Sequence, residues 1–224
     1  MRVNKQVIST IKIIVDTFML ILFFLLMGYH LFDNVKHEWF GASVFFLFVL
    51  HNALNWRWYK NLFRGRYNRI RIEITAVNLL LWIFMIMNVT SAIMISRVVF
   101  APLNLVNGSV GRRMHLFSTS WTFLFISFHF GMHTGMFVGI FKKHIKLPEE
   151  TIKCVKLILR VLIFALSIYG VVVLVQREIY KDLFFITEFK FLDFDEPKIK
   201  FFFDYFSIFT LFSSLGTLSL KTSR

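Results

Sequence analysis

The sequence predicts an all-α fold, a polytopic transmembrane helix bundle of about six spans, and three observations carry that expectation. Hydrophobic residues make up 57% of the 224 residues and aromatic residues 18%, above the roughly one-half apolar share of a soluble domain. The apolar residues come in long blocks, and a block of about 18 or more residues with few charges is long enough to cross a bilayer as a helix. The 26 Lys and Arg residues, which give a net charge of +13, gather in short segments between those blocks. That placement fits membrane topology rather than nucleic-acid binding, so no nucleic-acid partner is expected.

The blocks cover residues 7–31, 37–56, 74–96, 114–140, 157–176 and 201–220. Helix is expected in each, because lipid offers no partner to an unpaired backbone N–H or C=O. The first block lacks a small-residue cleavage site behind it and reads as a retained helix. Between the first two lies a very short turn. Arg57, Lys60, Arg64, Arg66, Arg69 and Arg71 separate the second and third. Lys142, Lys143, Lys146, Lys153 and Lys156 separate the fourth and fifth. Arg2 and Lys5 lie near one end of the chain, Lys221 and Arg224 near the other. Six alternating crossings put all four basic segments on one side, which the positive-inside tendency assigns to the cytoplasm. The expected location is the inner (cytoplasmic) membrane, multi-pass, with both termini cytoplasmic. Residues 177–200 carry five basic and six acidic residues and belong on the opposite side, where 183–194 is expected to form an interfacial amphipathic helix. Trp39, Trp56, Trp58 and Trp121 fall near span ends, as interfacial aromatics do. Residues 1–224 are expected to form one membrane domain, with a four-helix core over about 7–140 and two additional spans over 157–220. The single cysteine, Cys154, excludes an internal disulfide, a CxxCH haem-attachment motif and a four-thiolate cluster within this chain.

Histidines carry the functional reading. There are seven, at positions 30, 37, 51, 115, 129, 133 and 144, and all but His144 lie within or at the ends of apolar spans. Ionisable groups in a bilayer are expensive and usually functional. His37 and His51 are 14 residues apart on the second span, and so are His115 and His129 on the fourth. Fourteen residues nearly close a whole number of helical turns, so each pair shares a face about 21 Å from end to end. The two spans run in the same direction, which sets His37 level with His115 and His51 level with His129. Facing imidazoles at equal depth can ligate a haem iron axially. The expected metal ligands are therefore His37, His51, His115 and His129, holding two b-type haems per chain.

Other residues support that expectation. His133, four residues from His129, is an alternative ligand or a hydrogen-bond donor to a propionate or quinone. His30 and Asp204 are further quinone-site candidates. Gly41, Gly131 and Gly135 permit close approach of a flat macrocycle. Arg97, Arg112 and Arg113 are placed for propionates of one haem and Arg57 for the other. Ser118, Asn52 and Asn55 are candidate partners for the far imidazole nitrogens. Asp16 and Asp204, the acidic residues inside spans, pair with nothing at a convincing spacing.

The stretch His37-Glu38-Trp39-Phe40-Gly41, then His51 and Asn55-Trp56-Arg57-Trp58, resembles the flavinylation-associated cytochrome family. Gly111-Arg112-Arg113-Met114-His115, with His129 and His133, resembles its second ligand helix, and Asn78 and residues 91–96 fit its pattern. The likeness covers roughly residues 27–137 and continues more loosely through the last span. It implies a haem-binding electron conduit serving an extracytoplasmic flavin-carrying partner, with quinone a further candidate. The chain departs from the pattern at Asn88-Val89-Thr90-Ser91-Ala92, where a Ser-Gly step is expected, and nothing in it resembles a flavin-modified domain. The paired spacing is also similar, in geometry alone, to cytochrome b of quinol–cytochrome c reductases. The function expected is thus a diheme b-type membrane cytochrome, an electron-transfer subunit rather than a complete enzyme. The alternatives are a self-contained quinol or ferric reductase, a non-haem transporter whose histidines relay protons, and an anchor subunit.

Overall fold

A computed structural model describes residues 5–103, 108–144 and 148–222; side chains are described for these except positions 5, 136, 137 and 140–144. Arg2, Lys146 and Arg224 lie outside the described residues, as do the side chains of Lys5, Lys142, Lys143 and His144. All regular structure among the described residues is helical: α1 (Lys5–Met27), α2 (Asn34–Leu54), α3 (Trp56–Asn61), α4 (Arg69–Ile95), α5 (Gly108–His144), α6 (Glu149–Gln176), α7 (Ile179–Leu183) and α8 (Lys198–Thr222), with 3₁₀ turns at Tyr29–Leu31 and Ala101–Leu103. The six long helices occupy the six apolar blocks. Four of them, α1, α4, α6 and α8, are long and apolar enough to cross a membrane, and apolar residues such as Phe18, Phe46 and Phe164 face outward over the bundle. This is the surface of a chain whose solvent is lipid.

The helix ends follow from local chemistry. Asp33 caps α2 by accepting from the Lys36 N–H at 2.8 Å, and Asn68 caps α4 by accepting from the Arg71 N–H at 2.9 Å. Each satisfies a donor that the helix itself leaves bare. Asn55 closes α2 by donating its side-chain amide to the His51 carbonyl at 2.9 Å. Glu149 and Glu150 open α6, where negative charge offsets the positive helix end. Glu178, with φ 53°, ends the α6 direction and turns the chain into α7.

The helices pack α1 against α2, α4 against α5, and α8 against both α5 and α6. Phe23 and Phe24 bring α1 onto Phe123 of α5, Phe24 also meets Phe209 of α8, and Phe48 brings α2 onto Trp82 of α4. The α1, α2, α4 and α5 helices thus frame one space, and α8 backs it. Half of the most apolar stretch of α8 is buried, against 11% for the other three candidate spans. Its approach to α5 is set by glycine. A Cβ on Gly131 would stand 2.0 Å from the Ser213 carbonyl oxygen, and one on Gly216 2.1 Å from that of Phe128. Gly131 therefore serves the α5–α8 crossing and not a macrocycle.

The expected amphipathic helix at 183–194 does not form. Helix stops at Leu183, Phe185 adopts φ 62°, and the chain to Pro197 is irregular. Polar anchors hold it instead: Asp182, almost fully buried, accepts from Thr187 and Lys190, each at 2.6 Å. A segment tied back to one carboxylate every few residues cannot keep the helical ladder. Trp121, two turns inside its expected span, is half-buried, stacked with Phe84 and Phe125 and donating to the Leu183 carbonyl at 3.0 Å. Trp39 and Trp56 are exposed, as interfacial residues are.

Candidate functional site

His37 sits one turn into α2 and His115 two turns into α5, and the structure brings them face to face. Their ring centroids are 6.4 Å apart at an interplanar angle of 75°. His115 Nδ1 lies 3.2 Å from the Ser91 hydroxyl of α4, while that hydroxyl donates to the Asn88 carbonyl at 2.8 Å. A serine has one proton to give, so Ser91 accepts from His115 Nδ1–H, and the imidazole keeps Nε2 as a bare lone pair. The tautomer follows from the network. The far nitrogen of His37, Nδ1, is buried without a partner, and its ring meets Tyr29 edge-on at 5.0 Å.

Both rings line a cavity of about 1320 Å³ that runs from between α1, α2, α4 and α5 out to the α6–α7 turn and the 186–196 segment. Its walls are apolar around Phe23, Leu26, Met85 and Leu116, and Gly41 leaves room on the α2 side. Ordinary small-molecule pockets run to about 1,000 Å³, so this one has room for a large, mainly apolar guest. Arg97 and Arg112 reach its rim as expected. Arg113 does not: it donates to the Phe185 carbonyl at 2.9 Å and lies over the Phe185 ring. Ser118 donates to the His115 carbonyl at 3.3 Å rather than to an imidazole; Ser91 holds that place.

Nearer the basic face, His51 Nδ1 lies 2.6 Å from Asp16 Oδ1 of α1. A carboxylate only accepts, so Nδ1 carries the proton, and Nε2 accepts from the Asn55 side-chain amide at 3.4 Å. Lys12 donates to Asn55 at 2.7 Å, which lines up Lys12, Asn55, His51 and Asp16 between α1 and α2. On α5, the His129 and His133 rings are 4.7 Å apart, and His129 Nδ1 is buried without a partner. His51 is within electrostatic reach of both, and Asp16 of His133, but no ring contact joins His51 to either among the described residues. This second group is gathered without being paired. Asn52, expected beside an imidazole, bonds the Phe48 carbonyl and accepts from Tyr59.

Two expectations about acids are overturned. Asp16 is paired with His51, across helices. Asp204 is paired too: Arg177 donates to it through Nε at 3.0 Å and Nη2 at 2.7 Å, and Tyr169 through its hydroxyl at 2.7 Å. Arg177 also holds Glu196 at 2.5 Å, and Glu196 lies 3.4 Å from His30 Nε2. His30 is buried in the 3₁₀ turn, edge-on to Phe201 at 4.9 Å. Arg57 lines a separate cavity beside α3, one that no histidine lines among the described residues.

One residue that sequence reasoning named without a role proves central to the site's shape. Glu38, next to His37, accepts from the Ser96 hydroxyl at 2.6 Å and from the backbone N–H groups of Arg97, Val98 and Val99 at 2.8, 3.0 and 2.9 Å. It ties the segment after α4 to the start of α2, over the mouth of the cavity. No protein-family model, curated protein or solved structure matches this chain.

Proposed function

We propose that the protein is a multi-pass membrane cytochrome that binds two b-type haems and carries electrons between the two faces of the bilayer. The supporting observation is the His37–His115 pair. Two nitrogen-to-metal bonds of about 2 Å each, plus two ring radii of about 1 Å, come to roughly 6 Å, and the ring centroids stand 6.4 Å apart. Among the described residues no three of His, Cys, Asp and Glu converge on one point. A bare ion would find too few ligands there, whereas a haem brings four equatorial nitrogens and asks the protein for two.

His37 and His115 would hold one haem. His51, with its Nδ1 proton held by Asp16, would hold the other together with His129 or His133. When bound, haem supplies one-electron redox chemistry, and bis-histidine ligation leaves no open iron position for oxygen. The chain's own residues do the rest. Ser91 and Asp16 hold protons on Nδ1 of His115 and His51 and so fix ring orientation. Phe23, Leu26 and Leu116 exclude water, and Arg97 and Arg112 offer cations to acidic groups at the rim. A bilayer crossed six times puts the two histidine groups at different depths, which is what a transmembrane conduit requires. The resemblance to flavinylation-associated cytochromes supports an extracytoplasmic flavin-carrying partner and a quinone or cytoplasmic redox partner at the other end.

A dithionite-reduced minus oxidised spectrum of the detergent-purified chain, with pyridine haemochrome stoichiometry, tests this. The expected result is a low-spin b-type spectrum with two haems per chain, reduced to one in His115→Ala. Folded protein without haem from a haem-replete host overturns it. The Lys12, Asn55, His51 and Asp16 series favours one rival, a proton-relaying transporter. That reading expects haem-free protein in liposomes to move protons and Asp16→Asn to stop them.

A further inference from the structure

A second cavity, of about 600 Å³, opens between α3, the loop 62–68 and the first turns of α4. Arg57, Arg64 and Arg71 line it, and no acidic residue does. Their roles differ. Arg71 is spent on the fold: Nη2 donates to the Asn61 carbonyl at 2.5 Å, Nη1 to that of Arg66 at 3.3 Å, and the guanidinium lies over the Tyr67 ring. The side chains of Arg57 and Arg64 have no hydrogen-bond or ion-pair partner among the described residues. Two unneutralised guanidinium groups beside one concavity favour a dianionic or monoanionic oxygen ligand held at two points.

The rest of the lining narrows the ligand. Trp58, Leu62, Ile70 and Ile74 make the other wall, at the start of a helix long and apolar enough to cross a membrane. Trp56 and Phe63 stand exposed beside it, Phe63 at 93%, where interfacial aromatics belong. A cationic rim above an apolar wall at the membrane surface repeats the chemistry of a phospholipid, with phosphate first and acyl chain below. We propose that this cavity binds the phosphate group of an anionic phospholipid, with Arg57 and Arg64 as its ligands and Trp58, Ile70 and Ile74 against its glycerol and proximal acyl carbons. The site shares no lining residue with the histidine cavity, so it stands or falls apart from haem binding.

The test presents the purified full chain with equal amounts of dioleoyl-phosphatidylglycerol and dioleoyl-phosphatidylcholine and counts bound lipid by native mass spectrometry. Preference for phosphatidylglycerol is expected to be about tenfold or more, since each surface cation adds attraction to an anionic lipid. Arg57→Gln with Arg64→Gln is expected to bring it down to the phosphatidylcholine level. A photoreactive phosphatidylglycerol on the unmodified chain is expected to label residues 57–75, a readout that needs no variant. Inorganic phosphate in millimolar excess should leave the bound lipid in place. Equal retention of the two lipids, labelling elsewhere, or displacement by inorganic phosphate alone overturns the proposal, the last by making the site one for free phosphate.

Discussion

His115 and Ser91 show how one hydroxyl can set the chemistry of an imidazole. The Ser91 proton goes to Asn88, so the serine can only accept from Nδ1–H. Ser91→Ala removes that acceptor while keeping the volume nearly constant. The expected effect is a loss of about 10- to 100-fold in haem affinity at this pair, read by haem titration of the apoprotein, with the other haem retained. Asp16→Asn is the matching change at His51, expected to weaken the other haem alone. Glu38 acts on geometry rather than on a ring. Glu38→Gln keeps the shape but loses charge-assisted bonds to three consecutive N–H groups. Faster hydrogen exchange at Arg97, Val98 and Val99 is the expected outcome, and unchanged exchange would show the carboxylate to be dispensable.

At the scale of elements, the α5–α8 crossing is a close helix approach, and two glycines permit it. Gly131→Ala and Gly216→Ala each drive a methyl group into a backbone carbonyl about 2 Å away. Overpacking of this kind costs about 1–3 kcal/mol, so each variant should melt at a lower temperature in detergent. Gly135 gives the control. Nothing lies within 4 Å of its Cβ position, so Gly135→Ala should be neutral or slightly stabilising, by up to about 1 kcal/mol, through helix propensity. The segment 184–197 is an element without regular structure, and its polar anchors are the reason. Burial alone would push the Lys190 ammonium down, but Tyr205 and Asp182 beside it outweigh burial and hold it above the ordinary lysine value. A lysine raised in the folded state contributes stability in full below its unfolded pKa and loses it as pH rises through the folded value. The chain should therefore lose stability in the alkaline range, and Lys190→Met should remove that part of the pH dependence.

For the whole molecule, the Arg177 network joins α6, α8 and the 184–197 segment at the face opposite the arginine-rich loop. Asp204 and Glu196 are both buried against a single guanidinium. Arg177→Met would leave two uncompensated carboxylates, a loss of about 3–5 kcal/mol, visible as a failure to purify as a monodisperse species. Asp204→Asn should be milder, because the amide oxygen still accepts from Arg177 while its NH2 can donate to the Tyr169 hydroxyl.

The sequence by itself determined where the long helices lie, which face of α2 carries two histidines and which face of α5 carries two more. Those properties are local: a run of apolar residues and a 3.6-residue repeat need no partner to be read. Tertiary structure alone decided which polar groups meet. Asp16 and His51 are 35 residues apart and Ser91 and His115 are 24 apart, and such pairs depend on how antiparallel helices rotate and slide against each other. The same freedom sent Gly131 to a helix crossing and Arg57 to its own cavity. It also placed α8, the last of the apolar blocks, behind the histidine-lined space, where Gly131 of α5, Gly170 of α6 and its own Gly216 let the three helices close on one another.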